Sequence, residues 1–73
     1  MASLQFLRIH PADNVAVALR TAEAGVEFGA VQVGETIPAG HKLALTAIAP
    51  GEPVIKYGYP IGVASAPIAA GSS

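Results

Sequence analysis

The sequence predicts a small, mostly β domain of short strands and tight bends, on three observations. Eight Gly and six Pro make up 14 of 73 residues, and all but Pro11 punctuate the chain from Gly25 onward, leaving no gap there long enough for an ordinary helix. The pieces between them alternate apolar and polar side chains or are rich in β-branched residues. A short pattern, Ile-x-x-Gly, recurs at Ile37-Pro38-Ala39-Gly40, Ile48-Ala49-Pro50-Gly51 and Ile68-Ala69-Ala70-Gly71. It fits an apolar anchor followed by a turn whose last residue takes positive φ. Spacings of 11 and 20 residues make it a repeated corner, not a solenoid.

Taken in order, Leu4 to Ile9 reads as extended, and Pro11 disfavours helix at His10. Asp13 to Gly25 is ambiguous. Asp13 or Asn14 caps a helix well, the interior is Ala-rich and Gly25 closes it, so local propensity leans to helix. Against that, Val15, Val17 and Leu19 alternate with Ala16 and Ala18, which is strand spacing. Four β segments follow: Val31 to Val33, His41 to Thr46, Val54 to Tyr57 and Ile61 to Ala64.

Composition bounds the function. Of 38 apolar residues 15 are Ala, leaving 23 larger side chains for a thin core. A domain of this size is marginal without crosslinks, metal or a partner. The chain has no Cys, so disulfides and thiolate metal sites are excluded and a partner is expected. Four Lys/Arg against five Asp/Glu supply no basic patch for nucleic acid or an anionic membrane. The first ten residues lack the basic and apolar regions of a signal peptide, so a cytoplasmic address is expected. From Tyr57 to Ser73 there is no charge, although Tyr57, Tyr59, Ile61, Val63 and Ile68 lie there. Such a stretch is either core or an interface.

Few residues carry chemistry. There is no Gly-x-Gly and no Ser-His-acid arrangement, and two His residues cannot make up a metal site alone. By strand alternation His41 shares a face with Leu43 and Leu45. It reads either as a core-edge His bonded to a carbonyl or as an acid/base group at a mouth or interface. Lys56, between Val54-Ile55 and Tyr57, either blunts an edge strand or meets an anionic ligand. His10, Asp13 and Asn14 cluster around Pro11 as a turn with side chains bonding the backbone, or as an Asp that orients an imidazole.

Together these segments resemble the small domain of the altronate dehydratase family. The resemblance runs through Ile9-His10-Pro11, Asp13 to Leu19, Ile37 to Leu45 with its Gly-His-Lys block, and Ile48-Ala49 through Gly51 to Gly58 followed by Pro60-Ile61-Gly62. It implies one SAF-type β-clip domain over residues 1–73 and makes Val15 to Leu19 a strand. Relatives include galactarate dehydratases and sulfolactate sulfo-lyases, in which a small domain or subunit works with a large catalytic part. That large part would carry a divalent metal, iron or a similar ion, with none bound by this chain alone. The implied substrate is a sugar acid; His41 would handle the proton, and Lys42, Lys56, Tyr57 and His10 would bind substrate. The family continues past the last Ile-x-x-Gly with Glu and a His-Val-His-x-His-Asn run. Here Ser72-Ser73 follow, which reads as a truncated or disordered tail. SAF-type domains also serve as non-enzymatic binding or assembly modules, and self-association is a further expectation.

Overall fold

The computed structural model describes residues 5–72. Leu4 and Ser73 therefore lie outside the described residues, as does half of the expected tail. Among the described residues there are seven short strands: β1 (Phe6–Leu7), β2 (Val15–Ala18), β3 (Glu27–Phe28), β4 (Val31–Gln32), β5 (Lys42–Ala44), β6 (Pro53–Lys56) and β7 (Tyr59–Val63). They form an antiparallel sheet of order β1-β2-β5 and two hairpins, β3-β4 and β6-β7. No helix is present among the described residues.

The local lean to helix after Asp13 is corrected, because Val15–Ala18 is the central strand of the sheet. Its residues alternate poorly, yet Val15, Ala16 and Ala18 are all buried. Small side chains let both faces pack closely, and that tertiary burial overrides the intrinsic helix preference of Ala. The strand β3, which the sequence did not signal, exists only as the two-residue partner of β4.

The repeated corner organises the fold, and there are four copies instead of three. The fourth begins at Ala22, where Ala replaces Ile, and runs to Gly25. Each copy turns through a hydrogen bond from the residue after its glycine to its own second residue: Val26 N–H to Glu23 O, His41 to Pro38, Glu52 to Ala49 and Ser72 to Ala69. The glycine third in each turn has φ between +86° and +96°. That is what a type II turn demands.

The corners pair in twos. Ala22 bridges Ile37, and Ile48 bridges Ile68. In every copy the turn glycine and the residue after it share one opposite residue. Gly25 N–H donates to Val33 O while Val33 N–H donates to Val26 O; Gly40 and His41 treat Ala18 the same way. Gly51 and Glu52 do so with Ala64, and Gly71 and Ser72 with Ala44. This is a glycine bulge, two residues facing one, used four times.

Two small cores fill the pairs. Phe6, Ala16, Ala18, Ala22, Val33, Ile37 and Leu43 form the first; Val15, Ile48 and Ala64, with Val54 and Ile68 packed on, form the second. Phe6 and Phe28 meet with ring centroids 5.5 Å apart. Gly71 ties the two pairs together, since its carbonyl accepts from Gly34 N–H while its own N–H reaches Ala44. Ser72 is likewise engaged, donating to Ala69 and accepting from Ala44. The molecule measures 38 × 22 × 20 Å.

Candidate functional site

The expected site residues fall at two ends of β2. His10, Lys56 and Tyr57 gather near its start, around the tip of the β6-β7 hairpin. His41 and Lys42 lie beside its end, where Ala18 N–H donates to His41 O and Val17 pairs with Lys42.

The hairpin tip is built by one carboxylate. Lys56 pairs with Tyr59, leaving Tyr57 and Gly58 as a two-residue loop with φ of +56° and +78°. A primed hairpin turn needs positive φ at both positions, and a bulky residue such as Tyr57 enters that region at a cost. Asp13 holds it there. Its Oδ1 accepts from Gly58 N–H at 2.7 Å and its Oδ2 from His10 N–H at 3.1 Å. The side chain is buried at 3% exposure. Burial pushes the Asp13 carboxyl up, but the amides of Gly58, His10 and Tyr57, with the His10 charge, pull it further down, to a net value below its ordinary 3.8.

Asn14 clamps the base of the same hairpin. Its Nδ2 donates to Pro53 O at 2.9 Å and its Oδ1 accepts from Ile55 N–H at 2.7 Å. Asp13 and Asn14 thus reach residues 39 to 45 positions away. The Asp-orients-imidazole alternative does not form, because both Asp13 oxygens take backbone amides. His10 Nδ1 instead accepts from Ala12 N–H at 3.0 Å, which leaves the neutral ring its proton on Nε2. The ring lies over Gly58, where a Cβ would come within 2.9 Å of His10 Cδ2.

At the exposed end of the hairpin the Lys56 ammonium sits 4.8 Å from the centroid of the Tyr57 ring. That contact holds the cation beside a half-exposed phenol. All of β7 is exposed, with Tyr59 at 72% and Val63 at 65%. The uncharged segment is therefore surface along β7, and it enters the core at Ala64 and Ile68.

Leu43 is fully buried and Leu45 packs on the first core, while His41, which bonds to β2 in the same phase as both, sits beside the corner glycine Gly40 and is exposed. An open cleft of about 430 Å³ lies between the loop before β2 and the β3-β4 turn. Arg8, Asn14 and Thr46 line it, and Arg8 Nη2 donates to Pro11 O. Sequence reading did not single out Arg8, and no local pattern marks it. No group of three or more His, Cys, Asp or Glu among the described residues is arranged to hold a metal ion. No helix among them is long and apolar enough to cross a membrane.

Because Asp13 is held below its unfolded value, its bonds stabilise the fold above that value and are lost as pH falls through the lower folded one. Thermal melts from about pH 7 to 2 should show Tm dropping on the acid side, below about pH 4. Asp13→Asn should melt lower at neutral pH and lose part of this acid slope. An unchanged slope in the variant would assign it to the Glu residues.

Comparison with known proteins agrees with this architecture. The family model described as altronate/galactarate dehydratase SAF domain matches residues 4–73. An altronate dehydratase of Escherichia coli (strain K12) is 50% identical over 72 residues, covering 93% of this chain and 14% of that protein. An altronate dehydratase of Bacillus subtilis (strain 168) is 41% identical over 70 residues, covering 90% of this chain and again 14% of that protein. The chain thus spans about one seventh of the length of these relatives. With the four glycine corners and the small antiparallel sheets, a match from Leu4 onward places the whole described fold within one family: the chain belongs to the altronate/galactarate dehydratase SAF domains.

Proposed function

We propose that this chain is the accessory SAF domain of a sugar-acid dehydratase of the altronate type, a hydro-lyase whose large catalytic part lies outside these residues. One observation carries the reading: the match covers nearly all of this chain but only 14% of each altronate dehydratase. The bare β7 strand supports it. A strand that exposes Tyr59, Ile61 and Val63 and carries no charge of its own suits burial against a larger apolar surface.

Dehydration of a sugar acid removes the proton α to the carboxylate. The C–H electron pair forms the new double bond, the β C–O bond breaks, and hydroxide leaves as water after taking a proton. His41, exposed at the end of the β1-β2-β5 sheet, is the proton handler this chain contributes. Lys42 beside it attracts the substrate carboxylate. Lys56, Tyr57 and His10, on the hairpin tip that Asp13 fixes, contribute a cation and hydrogen bonds at the far end of β2. A divalent metal, iron or similar, belongs to the large part, where it would activate the leaving hydroxyl. The whole assembly works in the cytoplasm.

Grafting residues 1–73 into the E. coli altronate dehydratase in place of its matching segment tests this reading. The graft should dehydrate altronate, and the 73-residue chain alone should not. His41→Ala in the graft should lower kcat by at least about a hundredfold, with Lys42→Ala raising KM instead. A fully active isolated chain, or an inert but folded graft, overturns the accessory reading. An unchanged kcat in His41→Ala removes His41 from the chemistry.

A further inference from the structure

The cleft beside the start of β2 takes no part in the chemistry assigned above, yet its walls are chemically one-sided. Its volume of about 430 Å³ falls among small-ligand sites, which run from about 300 to 1,000 Å³. Phe28, whose ring packs on Phe6, lends it apolar surface.

The polar groups that remain free there are mostly donors. Arg8 carries five N–H groups, and Nη2 donates to Pro11 O; no other described residue takes one of them. That single bond tethers the guanidinium at the cleft and leaves the rest of its fork open. Gly29 and Ala30 form the two-residue turn between β3 and β4, with Gly29 at φ of +60°. Positive φ at the first position only is the type II′ arrangement. Neither turn amide donates to a carbonyl among the described residues. The Thr46 hydroxyl is likewise unengaged by them.

The acceptors on the opposite wall are already spent. Both Asp13 oxygens take backbone amides, from Gly58 and His10. Asn14 uses both ends of its amide on Pro53 and Ile55. An incoming group must therefore bring acceptors of its own. Charge narrows it further. Arg8 and Asp13 are the only ionised side chains lining the cleft, one of each sign. One carboxylate on Arg8 is favoured, and a second negative charge would meet Asp13.

We propose that this cleft binds a monocarboxylic polyhydroxy acid, with the carboxylate on the Arg8 guanidinium and the hydroxyls on Thr46 and the Gly29-Ala30 amides. The site goes beyond the accessory-domain reading, because it needs no catalytic part. Only the choice of altronate as its probe rests on that reading.

Amide spectra of this chain titrated with altronate read the site directly. Signals of Gly29, Ala30 and Thr46 should shift and saturate together, while Gly40 and Gly51, at corners away from the cleft, stay in place. Arg8→Gln should weaken binding at least about tenfold, and Arg8→Lys, which keeps the charge but not the fork, should also bind more weakly. Thr46→Val leaves the Arg8 tether intact and should cost about threefold to tenfold. The sugar alcohol of the same length should not bind, and galactarate or inorganic phosphate should bind no tighter than altronate. No saturable shift, shifts that survive Arg8→Gln, or tighter binding of galactarate or phosphate would each overturn the proposal. Shifts confined to Tyr57 and Gly58 would place the acid on the hairpin tip and overturn it too. Binding by this chain beside an inert graft sustains the site and sinks the enzymatic reading. An active graft beside a chain that binds nothing removes the site and leaves that reading standing.

Discussion

Gly71→Ala should leave the domain largely unfolded. A side chain at φ of +90° costs about 1–2 kcal/mol, and here the added Cβ would land on the Gln32 carbonyl oxygen. That neighbour is backbone, already fixed within β4, so relief requires the two corner pairs to separate, at about 1–3 kcal/mol more. A chain of this length has a total stability of about 4–11 kcal/mol, and its Ala-rich core places it low in that range. Gly40→Ala is the matched control. It has nearly the same φ, +86°, but open space around the added methyl. It should cost about 1 kcal/mol and melt cooperatively. Urea titrations of the two variants separate backbone strain from packing. Equal losses would mean that Gly71 matters only for its turn.

Ile37→Ala should be the second severe change, at about 3 kcal/mol. Ile37 is fully buried among Ala22, Val33 and Leu43, and large-to-small substitution there removes contact and leaves a cavity. Ile68 stands at the equivalent place in the corner that ends at Gly71 and makes the same kind of backbone bridge, yet it is only half-buried on the smaller core. Ile68→Ala should therefore cost about 1 kcal/mol, in proportion to the apolar area it hides. A reversed order would show that the second core, not the first, holds the domain together.

The candidate site was legible in part. Its residue types were visible: two imidazoles, a Lys in a β run beside a Tyr, and an Asp-Asn pair after Pro11. The Asp13 turn with His10 was also visible, because it closes over three residues. The reach of Asp13 to Gly58 was not, since no local pattern records a partner 45 positions away. His41 illustrates a different failure. Alternation placed it with Leu43, and it does bond to β2 in the same phase, but its position beside the corner at Gly40 leaves it exposed where Leu43 is buried. The strand at Val15–Ala18 was obscured by propensity, because Ala favours helix wherever packing does not intervene.

What the sequence by itself determined is the punctuation and the chemistry: where the chain bends, which bends need a left-handed glycine, and which side chains could touch an acid. Those are properties of a few adjacent residues, so they can be read without neighbours. Only the tertiary structure decided that a fourth corner begins at Ala22, that corners 15 and 20 residues apart pair, and that β5 comes last in the sheet order β1-β2-β5. Pairing is settled by which apolar anchors can share one buried space, and that competition is between distant segments whose own patterns are nearly identical.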